Sequence, residues 1–189
     1  MDTPKQAALS WYWDVPVGKG KRYLTNAGVI ADRMFGNWRL SGIQHYAAGS
    51  PIAVSTNESI PSLGGVWPVL VNGSTIKKSG GCGSVRPGVP GQSAYLNAAA
   101  FADPAPFTLG NVSVLSTVRA CGSLDEDLGI DKEIPIRETK RIAIGALAYN
   151  LFNRHQLINI NSNIDSPAFG TFSGASFPRS IQLYVKIEF

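Results

Sequence analysis

Apolar and polar residues alternate over five separate stretches of this 189-residue chain. In Leu9 to Val15, the residues Leu9, Trp11, Trp13 and Val15 fall on one side and Ser10, Tyr12 and Asp14 on the other, as in a strand rich in interfacial aromatics. Trp38 to Ala48 sets Trp38, Leu40, Gly42, Tyr46 and Ala48 against Arg39, Ser41 and His45, with Ile43 and Gln44 breaking the order. The run "LDEDLGIDKEIP" puts Asp125, Asp127, Asp131 and Glu133 on one side and Leu124, Leu128, Ile130 and Ile134 on the other. Thr139 to Asn153 is the longest strand candidate. Arg179 to Phe189 is the strictest: Ile181, Leu183, Val185, Ile187 and Phe189 are apolar, with Gln182, Tyr184, Lys186 and Glu188 between them. Side chains two apart share a face of a strand, so each stretch predicts a strand with one apolar and one polar face.

The segments between these strands are unequal. "PVGKGKRYLTNAG" reads as a turn or loop, and "VIADRMFGN" as a short helix ending near Gly36. Gly49 to about Ser123 is rich in Gly, Pro, Ser and Asn with brief apolar runs, "IRET" is a tight connection, and Arg154 to Pro178 is a second loop. Short connections at one end and long ones at the other are the asymmetry of an outer-membrane barrel wall, although Pro16 to Asn37 is longer than that rule expects.

Composition narrows the classes further. Charged residues are 16% of the chain against ~25% in soluble domains. With 20 Gly and 12 Pro, short strands and turns are favoured over a helical bundle. The net charge of +4 is scattered except at "GKGKR", which argues against a nucleic-acid partner. The longest apolar run, Ile142 to Tyr149, falls short of the ~18 residues of a membrane helix, but strands can cross in less. No basic region leading into an apolar one stands in "MDTPKQAALSWYWDVP", so no signal peptide is expected there.

Candidate chemistry is sparse. A calcium loop starting at Asp125 would need Gly and Glu where Ile130 and Ile136 stand, so the acidic spacing fits a wet strand face instead. Lys132 then points to the apolar side, where its stem could reach the headgroups. "GKGKR" lacks the spacing of a phosphate loop and reads as a solvated basic turn. His45 and His155 have no carboxylate or Cys at ligand spacing. There is no Gly-x-Ser-x-Gly elbow, and Cys82 has no His partner nearby. No catalytic residue, cofactor or metal is expected, and no enzymatic activity.

Five blocks together resemble a known family: "DVPVGKGKRYL", "GNWRLSGIQHYAAGSPIAV", "YLNAAAFADPAPFTLGN", "AYNLFNRHQ" and "FPRSIQLYVKIEF". Their order is similar to the carboxyl end of Oar-like TonB-dependent outer-membrane receptors, and the runs Asn150 to Asn153 and Pro178 to Gln182 are the most distinctive. The resemblance implies an all-β, up-and-down transmembrane barrel segment with long extracellular loops, residues 1–189 forming its carboxyl-terminal part. Plug and regulatory-like domain are expected to lie outside this stretch, and its five strands are too few to close a barrel, which takes at least ~8. Implied partners are outer-membrane lipid, TonB acting through the missing amino-terminal part, the barrel assembly machinery and a large cargo that the blocks leave unspecified.

Further expectations follow from that resemblance. The face formed by Ile181, Leu183, Val185, Ile187 and Phe189 would be the signal captured in assembly by strand addition. An oxidising compartment would join Cys82 to Cys121. If Ile134 lies opposite the residue after Thr139, Glu133 faces Arg141 across the Pro135 to Thr139 turn, both into the lumen. In isolation the five strands should form an open, curved sheet with poorly packed loops. The alternative is a soluble secreted β-domain binding carbohydrate or protein through its loops, which would need a second sheet over the apolar face.

Overall fold

The computed structural model of the chain describes residues 2–26, 28–78, 81–87, 94–137 and 140–189. In chain order its elements are β1 (Gln6–Asp14), α1 (Val29–Phe35), β2 (Trp38–Ala47), β3 (Pro51–Ala53), β4 (Ser59–Ile60), β5 (Gly64–Gly65), β6 (Val69–Leu70), β7 (Phe101–Ala102), β8 (Val114–Arg119), β9 (Ser123–Arg137), β10 (Lys140–Tyr149), β11 (Leu157–Ile160), β12 (Phe172–Ala175) and β13 (Ser180–Glu188), with single 3-10 turns at Cys82–Ser84 and Ala98–Ala100. They divide into two compact units, one of residues 6–46, 124–154 and 178–189, the other of residues 1–5, 47–123 and 155–177.

The first unit is one five-stranded sheet in the order β1-β2-β9-β10-β13, built from the five alternating stretches. β9 and β13 flank β10 antiparallel. Side-chain partners run in opposite senses between β1 and β2, with Gln6 on His45 and Asp14 on Arg39. Between β2 and β9 the same holds, since Trp38 lies by Lys132 and Tyr46 by Glu126. The outer strands β1 and β13 leave both edges of the sheet open, each 9 residues long, within the ~9–11 of a tilted membrane crossing. The longest strand is β9, at 15 residues, rather than β10, which stops at Tyr149 because Asn150 turns the backbone at φ 49°. The short helix falls where the pattern placed it and ends on Gly36, whose N–H reaches the Asp32 carbonyl. Of the "IRET" connection, Glu138 and Thr139 lie outside the described residues.

The second unit corrects the expectation of loose loops. Ile52, Val54, Tyr95, Leu96, Ala100, Phe101, Leu115, Phe169 and Phe172 form a buried core there. Ring contacts tie its parts, with Phe101 edge-on to Phe169 at 5.3 Å and Tyr95 tilted against Phe172 at 5.7 Å. Short ladders, β3 with β8, β6 with β7 and β11 with β12, satisfy the backbone around it. Two glycines permit the close approach. At Gly170, φ 74°, an added Cβ would stand 2.7 Å from the Leu96 carbonyl oxygen, and Gly110, φ 73°, is similarly pressed on the backbone of Trp67. The core residues come from segments with no regular spacing, which is why periodicity could not see them.

Candidate functional site

The sheet presents two chemically opposite faces. On one, the register aligns Ile134, Ile142 and Ile187 in a row, then Lys132, Ile144 and Val185, then Ile130, Ala146 and Leu183, then Leu128, Ala148 and Ile181. This face is open: Leu183 is 78% exposed and Ile181, Val185 and Ile187 more than half. An apolar surface of that extent faces another apolar medium. Trp11 lies on the same face over Gly42, where a Cβ would meet its ring at 2.5 Å, and donates from Nε1 to Gln44 Oε1 at 3.1 Å. Gln44, a break in the pattern, is thereby paired on the apolar side.

Polar groups at the two ends of this face are satisfied. Lys132 sits over the Trp38 ring at 5.4 Å and its Nζ donates to the Gly36 carbonyl, so the amine is folded back on the chain instead of reaching out. At the opposite end, buried Glu126 accepts from Arg154 Nε at 2.9 Å, with Tyr46 beside it. The "NLFN" run builds this end. Asn150 and Asn153 adopt φ 49° and 52°, a region asparagine tolerates. The Asn150 carboxamide holds the Arg154 backbone at both N–H and carbonyl, 2.8 and 3.0 Å, while Asn153 Oδ1 accepts from the Arg179 N–H at 3.0 Å. Leu151 N–H donates to the Glu126 carbonyl at 2.8 Å, so one turn clamps β9, β10 and the start of β13.

The other face carries a belt of alternating charge. Arg39 Nε lies 2.7 Å from Asp14 Oδ1 and its Nη1 3.8 Å from Glu133 Oε1; Arg141 pairs with Glu188, which also takes Lys186 Nζ at 2.7 Å. Tyr184 donates its hydroxyl to Asp131 across Gly145 on the strand between them. The expected Glu133 and Arg141 pair is corrected in register. The ladder runs past the expected turn to Arg137 and Lys140, and with a bulge between Lys140 and Arg141 it sets Arg141 opposite Pro135 and Glu133 opposite Ala143. The two share a face but stand one pair apart, and Arg141 takes its direct partner Glu188 on the other side. Beside the belt a half-open hollow of about 550 Å³ lies against Gly129, bordered by Tyr12, Ser41 and Asp127 and by the apolar Trp11, Ile43 and Leu147.

The remaining sequence candidates lie apart from these faces or carry single contacts. Cys82 and Cys121 are joined by a disulfide in the second unit. His45 meets Gln6 at 2.9 Å, and His155 is exposed. The "GKGKR" turn exposes Lys19, Lys21 and Arg22. Phe189 is 93% exposed and continues the apolar row of β13. Among the described residues no group of three or more His, Cys, Asp or Glu could hold a metal ion. No helix among them is long and apolar enough to cross a membrane, which says nothing against crossing by strands. Gly145 was not singled out in the sequence, and Gly42 was named only as part of the alternation, although a glycine inside a strand signals a close approach.

Antiparallel strands of crossing length, apolar on one exposed face and ion-paired on the other, define the wall of a transmembrane β-barrel. The chain belongs to the outer membrane beta barrel domain family, which matches residues 1–182, and its place is the bacterial outer membrane. No curated protein and no solved structure matches it.

Proposed function

We propose that this barrel wall is part of an Oar-like TonB-dependent transporter, with no catalysis of its own. The observation that carries the reading is the clamp built by Asn150 to Asn153 and Arg179, because the two runs most characteristic of the resemblance come together as one structural device. In this reading the apolar face meets outer-membrane lipid and the charged belt faces the lumen. The long connections that hold the second core stand outside the cell, and the ends of β9 and β10 at Arg137 and Lys140 lie on the periplasmic side. The exposed edge strand β13, with Ile181, Leu183, Val185, Ile187 and Phe189, is the segment offered to the assembly machinery by strand addition. TonB would act through an amino-terminal plug of the complete receptor on a cargo chosen elsewhere.

The test is the reading frame upstream of Met1 together with cross-linking in cells. A plug-encoding segment and a TonB adduct of the complete protein are the expected results. An upstream frame with no plug, and no TonB adduct from protein present in the outer membrane, would leave a barrel of another kind.

A further inference from the structure

The connection between β1 and β2 is the one the barrel rule does not explain, and its surface is unusual. Tyr23, Leu24, Val29, Ile30, Met34 and Phe35 are each more than half exposed, Ile30 at 78%. Lys19, Lys21, Arg22 and Arg33 are exposed among them, with Asp32 turned inward to the Lys19 N–H at 2.5 Å. The position of this segment is set by two contacts on the apolar side of the sheet. Trp38 Nε1 donates to the Met34 carbonyl at 3.1 Å, and Lys132 Nζ to the carbonyl of Gly36. Both Trp38 and Lys132 belong to the apolar face, so the helix end is tied to the lipid side of the wall and not to the lumen side. Gly18 and Gly36 close the base of the segment, since a Cβ on Gly18 would stand 2.9 Å from the Gly36 Cα.

We infer that residues 17–26 and 28–36 form an interfacial anchor that lies on the periplasmic leaflet and binds anionic phospholipid headgroups. The inference rests on the barrel reading above, which supplies the lipid. A short helix with apolar residues on the outside, uncovered by the described residues of this chain, is stable where those residues enter the headgroup and acyl boundary. Four exposed cations beside them match a surface of phosphodiester anions, and each adds attraction that falls off within a Debye length. Fixing the helix end through Trp38 and Lys132 keeps its apolar side at the level where the wall itself leaves the bilayer.

The experiment uses the complete protein in vesicles, with an environment-sensitive dye on Ile30→Cys, labelled without reductant so that the native disulfide is kept. Vesicles of phosphatidylethanolamine with phosphatidylglycerol are compared with phosphatidylcholine alone, and iodide and lipid-borne bromine serve as quenchers. The expected result is bromine quenching and iodide protection in the anionic vesicles. The K19E/K21E/R22E/R33E variant should lose that protection, with iodide accessibility rising severalfold, on the order of five or more. A dye equally open to iodide in both vesicle types, or protection equal in detergent alone, overturns the inference, the latter by showing that protein covers the site. A variant indistinguishable from the parent also overturns it. Heat-modifiable mobility and outer-membrane fractionation report separately on the barrel reading. If these fail, the lipid assignment falls with that reading; if they hold and the dye result fails, only the anchor is rejected.

Discussion

Gly145 should be intolerant of any side chain, for a reason visible only across three strands. A Cβ there would stand 2.5 Å from Tyr184 Cζ and closer still to Asp131 Oδ1, so Gly145→Ala must push the phenol off its carboxylate partner. Overpacking costs ~1–3 kcal/mol and a hydrogen bond to a charged group contributes ~1.5–3 kcal/mol. Both partners are half-buried, so the low ends apply and the expected loss is about 2–3 kcal/mol. Gly174→Ala, where the nearest atom is 3.9 Å from the added Cβ, is the control, with an expected change below ~0.5 kcal/mol. The assay is urea unfolding of the membrane-extracted protein in micelles, followed by tryptophan fluorescence. In a Tyr184→Ala background the cost of Gly145→Ala should fall by at least ~1 kcal/mol, because the ring that it displaces is gone. Additive effects of the two substitutions would refute the argument, as would a Gly145→Ala protein as stable as its parent.

Leu183→Arg should destabilise the inserted barrel by ~2–4 kcal/mol while Gln182→Arg, its neighbour on the wet face, is close to neutral, measured by the same unfolding assay. Removing the disulfide with Cys82→Ser and Cys121→Ser should expose the second unit to limited proteolysis. For a sequence separation of 39 the chain-entropy model gives ~4 kcal/mol, and an unchanged cleavage pattern would contradict it. In double-mutant cycles Arg141 should couple to Glu188 more strongly than to Glu133, and the reverse ranking would reject the bulged register. Phe189→Ala should lower the outer-membrane level of the protein, read by fractionation, if the apolar row of β13 is what the assembly machinery captures.

Strand content and the two faces were legible along the chain because side-chain alternation in a strand is local: Ile181 to Phe189 and Asp125 to Glu133 declare their sides with no knowledge of any neighbour. The short helix before Gly36 and the basic turn were legible for the same reason. Register was not. Glu133 and Arg141 were placed opposite each other by ending the ladder at Ile134, but the pairing runs on to Arg137 and Lys140 and, with a bulge before Arg141, leaves Glu133 opposite Ala143, while Arg141 meets Glu188 on β13. A bulge adds a residue to one strand only, and nothing in the alternation on either side announces it. The second core was equally invisible, since Leu96, Leu115 and Phe172 lie in segments without period and meet only when β3, β8, β11 and β12 bring them together. The sequence by itself therefore determined which residues are wet and which are greasy in the wall. The tertiary structure decided who stands opposite whom, and that the loops have an interior of their own, because both depend on contacts between residues far apart in the chain.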